Sequence, residues 1–217
     1  ARGAVSDGPG RGYLLDGWGG LHPFGGAEPV SQFDYWPGWD ITRGIVKGAL
    51  PGTGYVLDGW GGLHPYGGAP FLSYTGYWRG WDIARGLAIS DDGLGGYVLD
   101  GWGGVHPFGL ATRVNTTGYW SGWDIARGIG LRPDGKSGWV LDGWGGLHPF
   151  GGAPAVSVSR YASGFDIMRG MIVNAEGTGG WVVDVNGFIW PFGAAPSAIR
   201  SATWSGFGIG RAIVRTG

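Results

Sequence analysis

The sequence predicts an all-β fold, a β-propeller of five four-stranded blades with 42 residues to a blade, and three observations predict it. The decapeptide Asp-Gly-Trp-Gly-Gly-Leu-His-Pro-Phe-Gly begins at Asp16 and returns, lightly edited, at Asp58, Asp100, Asp142 and Asp184. A second phrase, Tyr35-Trp36-Pro37-Gly38-Trp39-Asp40-Ile41-Thr42-Arg43-Gly44, recurs with the same step at Tyr77, Tyr119, Tyr161 and Thr203. No segment sustains a 3.6-residue apolar period. A fixed period of this length means one supersecondary unit copied, each copy needing its neighbours to bury its faces. Residues 1–217 thus read as one domain. A piece of a larger propeller and a β-solenoid are the alternative arrangements.

The second repeat shows the elements in order. Gly44 to Ala49 is a short apolar run, and Leu50-Pro51-Gly52-Thr53 is a turn. Tyr55-Val56-Leu57 is aromatic and β-branched, and Asp58-Gly59-Trp60-Gly61 is a hairpin signal. Leu63 to Tyr66 makes a third strand, closed by Gly67-Gly68, and Pro70 to Tyr77 allows a fourth. Apolar runs without clean alternation imply sheets covered on both faces. Pro23, Pro65, Pro107, Pro149 and Pro191 fall inside the third strand, where proline removes a ladder donor, so a bulge or an early strand end is expected there. Gly3-Val5 and Ala212-Val214 both match the innermost strand. One completes the other's blade, or the chain is cut from a larger ring. The chain lacks an initiator Met and begins inside a repeat, which reads as a processed or truncated product.

Composition narrows the function. The chain carries 51 glycines and 13 prolines, but they are periodic and lie between apolar runs, so they mark turns rather than disorder. A net charge of −1 offers no field for nucleic acid or an anionic membrane, and no apolar stretch has the length of a membrane span. With no cysteine, disulfides, thiolate metal sites and cysteine nucleophiles are excluded.

The motif Gly-Tyr-Val-Leu-Asp-Gly-Trp-Gly-Gly-Leu-His-Pro-Tyr-Gly, residues 54–67, resembles the Gly-Tyr-Trp, Asp-Gly-Gly and Phe-Gly repeats of secreted bacterial proteins, often actinobacterial. The resemblance covers essentially the whole chain. It implies a propeller-like module that is secreted or held at the cell surface and is often attached to hydrolases. The architecture, though not the motif, is similar to that of five-bladed lectins of the tachylectin-2 type. The Trp-Asp pair and repeat length are shared with WD40 repeats, but the Gly-His opening of that family is missing from its usual place.

In an antiparallel blade the turn between strands two and three shares a face with the link from strand four to the next blade. The aromatic loops of every repeat therefore lie on one face. Trp18, Trp60, Trp102 and Trp144 sit at glycine-flanked hairpin tips, either as wedges between blades or as flat stacking platforms. Trp36, Trp78, Trp120 and Trp204 form a second set that becomes Ala162 in the fourth repeat, a change a packed site tolerates poorly, so this set is expected at the surface. Trp39, Trp81 and Trp123 give way to Phe165 and Phe207, so their N–H is dispensable and core packing is expected. Asp40, Asp82, Asp124 and Asp166 precede Arg43, Arg85, Arg127 and Arg169 by three residues. They read either as structural ion pairs near the axis or as a ring of hydrogen-bonding groups for hydroxyls. His22, His64, His106 and His148 tempt a metal reading, but propeller symmetry would spread them around a circle, so a histidine bonded to a nearby Asp is expected instead. Asp16 and its four counterparts read as turn-forming carboxylates.

No nucleophile elbow, zinc helix or phosphate loop is present, and near-identical blades work against a unique acid and base. The sequence thus points to a non-catalytic, multivalent carbohydrate-binding module, probed through Trp18, Trp60, Trp102, Trp144, Trp36, Trp78 and Trp120 with Asp40, Asp82 and Asp124. Its expected partners are glycans or cell-surface polysaccharide, not nucleic acid and not the membrane interior. It is expected to be monomeric, with no cofactor and no metal. Asn186 replaces the tip Trp in the fifth repeat, so three or four competent sites are expected. A protein-interaction scaffold and a hydrolase with one axial site are the rivals.

Overall fold

The computed structural model describes residues 1–32, 34–198 and 203–214. Fifteen strands form five antiparallel sheets, each in sequence order, and no helix occurs among the described residues. The sheets are β1 (Gly3–Gly8), β2 (Arg11–Leu15) and β3 (Leu21–Phe24); β4 (Thr42–Lys47), β5 (Gly54–Asp58) and β6 (Leu63–Tyr66); β7 (Ala84–Ile89), β8 (Gly95–Asp100) and β9 (Val105–Gly109); β10 (Ala126–Leu131), β11 (Gly138–Asp142) and β12 (Leu147–Phe150); and β13 (Met168–Val173), β14 (Gly179–Asp184) and β15 (Ile189–Gly193). This is a propeller-like repeat fold. Its first strands, together with residues 213–214, line a common axial cavity of about 630 Å³ on the side away from the hairpin tips.

The expected fourth strand is reduced to a single bridge. Gln32 pairs with Tyr66, Tyr74 with Phe108, Thr116 with Phe150 and Val158 with Phe192. The segments after β3, β6, β9 and β12 thus cross to the outer edge of the next sheet before entering that blade. Proline explains the shortness. The carbonyls of Pro107, Pro149 and Pro191 accept from Thr75, Thr117 and Ser159 at 3.1–3.3 Å, so these residues turn their backbone outward. Their missing N–H therefore faces the crossing segment and deprives it of a ladder bond. Side chains add to the few backbone bonds that hold the crossing segment: the Tyr13, Tyr55 and Tyr97 hydroxyls donate to the carbonyls of Glu28, Pro70 and Thr112. Where Trp139 and Trp181 replace tyrosine, the indole N–H makes the same bond at 2.8 Å to Pro154 and Pro196.

Of the bulge or early strand end expected at the prolines, the third strands show the early end, one or two residues past the proline, and the bulge lies elsewhere. The third strands keep regular register through proline, while the first strands shift at Thr42/Gly44, Ala84/Gly86, Ala126/Gly128 and Met168/Gly170. Each shift ejects the intervening arginine from the ladder, which frees it for the contacts described below.

The core lies between blades. Leu15 packs on Val56, Leu57 on Val98, Leu99 on Val140 and Leu141 on Val182, one residue from each of two neighbouring middle strands. These strands are covered on both faces, as their unbroken apolar runs require: all five residues of β5 and of β11 are buried. Each such leucine contributes about 1.5–3 kcal/mol by burial.

Candidate functional site

The hairpin tip is built by one carboxylate. Asp58 Oδ1 accepts from the Trp60 and Gly62 N–H groups at 2.7 and 2.8 Å, and Oδ2 pairs with His64 Nε2 at 2.9 Å. The same set recurs around Asp16, Asp100 and Asp142. In the fifth blade the Trp190 N–H replaces histidine and donates to Asp184 Oδ2 at 3.1 Å. The turn carboxylate and the Asp-bonded histidine are therefore as expected from the sequence. The turn glycine has two duties: Gly61 adopts φ 90°, and a Cβ there would come within 2.9 Å of the Trp78 ring.

Each entry loop, the link from the crossing segment to a first strand, spans two hairpin tips. The Trp78 N–H donates to the Trp60 carbonyl and the Trp120 N–H to the Trp102 carbonyl at 2.6 and 2.7 Å, tying the loop to the preceding tip. At its far end the loop stacks on its own blade's tip: Trp39 meets Trp60, Trp81 meets Trp102 and Trp123 meets Trp144, edge to face at 5.1–5.3 Å. The next loop adds a tyrosine, with Tyr119 at 6.5 Å from Trp102 and Tyr161 at 6.4 Å from Trp144. Two aromatic triads result, Trp81–Trp102–Tyr119 and Trp123–Trp144–Tyr161. The second blade has the Trp39–Trp60 pair and the first has Trp18 with Tyr35 at 6.5 Å. The fifth blade has Asn186 at its tip.

Two tryptophan sets exchange the roles read from their substitutions. Trp39, Trp81 and Trp123, expected in the core, are 45–46% exposed. Trp36, Trp78 and Trp120, expected at the surface, are half-buried and pack edge-on against His64, His106 and His148 at 4.6–4.7 Å, while the fourth member of that set, Trp204, is 46% exposed as expected. Ala162 misled the reading because two neighbouring positions change with it. Trp190 stands where the partner histidine would be, and the Met168 side chain reaches over Gly145, where the other blades put an indole. Among the tip residues Trp18 is 43% exposed and Trp60, Trp102 and Trp144 are half-buried beneath the entry loops.

The aspartates are engaged elsewhere. Arg2 pairs with Asp40, Arg43 with Asp82, Arg85 with Asp124 and Arg127 with Asp166, each arginine reaching the entry loop of the next blade. The pairing within three residues also exists, at 3.2 Å for Arg85–Asp82 and 3.0 Å for Arg127–Asp124. Asp40, Asp82 and Asp124 therefore belong to an ion-pair belt at the channel mouth and not to the aromatic triads, which favours the structural reading of these residues. Sequence spacing shows only the short-range partner; the stronger one comes from the next repeat. Burial alone would raise the Asp166 carboxyl, but the Arg127 guanidinium, followed by Arg169, holds it below the usual carboxylate range. The free energy of that pairing is present above the range and is lost as pH falls through the depressed pKa. The thermal midpoint is therefore expected to fall with pH on the acid side, and Asp166→Asn should flatten that limb; an equally steep limb in the variant would contradict the assignment. Burial opposes charge on His64, yet hydrogen bonds to Asp58 and Asp34 outweigh it and hold the imidazole above its usual range. Its contribution has the opposite sign, present below the usual histidine pKa and lost as pH rises through the raised one.

No protein-family model matches the chain, and no curated protein matches it.

Proposed function

We propose that the aromatic face is a multivalent carbohydrate-binding surface on a secreted or cell-surface propeller. The observation that carries this reading is the repeated triad of exposed Trp81, half-buried Trp102 and exposed Tyr119, with its copy at Trp123, Trp144 and Tyr161. Sugar rings present apolar C–H faces that stack on indole, and an edge-to-face cluster offers two differently inclined surfaces around one ring. The backbone bonds between loop and tip hold the cluster in place before ligand arrives, which lowers the ordering cost of binding. Neighbouring copies raise avidity without new contacts. The net charge of −1 suits neutral glycans. The fourth strand of each blade is the short crossing segment, and the working unit is one tip plus two entry loops.

A glycan array on this chain tests the reading directly, followed by titration calorimetry with the best ligand. Two strong sites and one or two weaker ones are expected, from the second and first blades. A stoichiometry of one, or an array without hits joined to capture of a defined protein on the same face, would replace this reading with the scaffold. Turnover of a chromogenic glycoside abolished by a single Asp substitution would replace it with the hydrolase.

A further inference from the structure

Leu14 breaks the symmetry of the blades. Its counterparts Val56, Val98, Val140 and Val182 are 0–5% exposed, each covered by a leucine of the preceding blade, whereas Leu14 is 43% exposed. Phe24 is likewise half-buried where Tyr66, Phe108, Phe150 and Phe192 are buried to 1–2%. One half of an interface that the chain builds four times is thus bare in the first blade.

The other half of the gap is at the far end of the chain. Inner strands follow one another through their glycines: a Cβ at Gly44 would lie 3.7 Å from Leu87, one at Gly128 3.5 Å from the Gly170 Cα, and one at Gly170 3.7 Å from the Ala212 Cα. Arg211–Val214 therefore stands beside β13 as β13 stands beside β10, and Arg211 lines the channel mouth with Arg2, Arg43, Arg85, Arg127 and Arg169. Yet among the described residues Arg211–Val214 belongs to no sheet. A groove of about 390 Å³ lies beside it, lined by Leu14, Val183, Ile189, Trp204 and Ile213 among others.

We propose that Arg211–Val214 is the inner strand of a sixth blade, and that the groove receives a β-hairpin of the repeat's own second-and-third-strand type from outside residues 1–217. The four existing interfaces specify the occupant. Its first strand pairs antiparallel with 211–214, as β5 pairs with β4. Its Val, at the position of Val56, packs on Val183. Its Leu, at the position of Leu57, covers Leu14. Backbone pairing supplies attraction and the two apolar contacts fix register, the logic of strand addition to an open edge.

The test uses a labelled peptide of residues 53–68, which carries Val56, Leu57 and the Asp58–His64 turn. It is titrated into the full chain and followed by fluorescence anisotropy. One-to-one saturable binding is expected, weakened at least about tenfold by Leu14→Asp. Leu50→Asp, on an exposed turn remote from the groove, should leave binding unchanged. Because an isolated hairpin is marginally stable, the same segment is also appended after Gly217 on a flexible linker, where tethering removes the association cost. The tethered chain should melt at higher temperature, and Leu14→Asp should cancel the gain. Absence of both effects, or equal effects in Leu14→Asp, overturns the proposal. So does a wild-type dimer that Leu14→Asp disperses and the peptide cannot displace, since a second copy would then be the occupant.

Discussion

Asp100→Ala is expected to destabilise the chain by about 3–5 kcal/mol, because one carboxylate organises an entire hairpin tip. Its Oδ1 accepts from the Trp102 and Gly104 N–H groups, both at 2.8 Å, and its Oδ2 meets His106 Nε2 at 2.8 Å. Asp100 is 7% exposed, so water cannot replace it without opening the blade. Truncation strands two backbone donors and one imidazole, and each stranded group costs about 1–3 kcal/mol. Asp100→Asn keeps an acceptor at Oδ1 and loses only the one facing His106, so about 1–2 kcal/mol is expected. Urea unfolding measures both, with an unchanged m-value marking a change of stability rather than of compactness. A cost below about 1 kcal/mol for alanine would mean that the turn holds itself without the carboxylate.

Trp81→Ala and Trp78→Ala are expected to separate binding from folding, although they lie only three positions apart in the chain. Trp81 is 46% exposed and touches Trp102 at 5.2 Å, so its removal should weaken binding at the proposed third-blade site about tenfold or more and cost under about 1 kcal/mol of stability. Trp78 lies against His106 at 4.7 Å with its ring over Gly61, so its removal opens a cavity worth about 3 kcal/mol and leaves the exposed aromatics in place. Calorimetry with the array-selected glycan and thermal unfolding on each variant read the two effects. Adding Trp123→Ala to Trp81→Ala should remove both strong sites. The reverse pattern, with Trp78→Ala abolishing binding in a fully stable chain, would return the site to the set first read from the sequence.

Much of this was legible because repetition ties sequence to local structure. The Asp-Gly-Trp-Gly turn, the middle strand of β-branched and aromatic residues and the placement of loops on one face all follow from short-range chemistry, and all are present. The replacement of His by Trp190 and of Trp by Ala162 was harder. Each looks like an independent loss, yet they fall at the two positions, 28 apart in the chain, whose Trp and His pack together in the second to fourth blades' tips. Substitution patterns report whether an N–H is needed, and not which side of a loop meets water. That is why the tolerance of position 39 for phenylalanine pointed to the core while its indole is exposed.

The sequence by itself determined the period, the strand order within a blade, the turn chemistry and the shared aromatic face, since each depends on residues within one repeat. The tertiary structure alone decided which indoles are exposed, that Arg2, Arg43, Arg85 and Arg127 each serve the next blade's aspartate, and that residues 211–214 lie beside β13 without joining a sheet, next to an uncovered Leu14. The physical reason is that these depend on how one blade lies against the next. Identical local sequences present identical faces, and only the packing of a neighbour, or its absence, makes one valine-like position buried and another open to water.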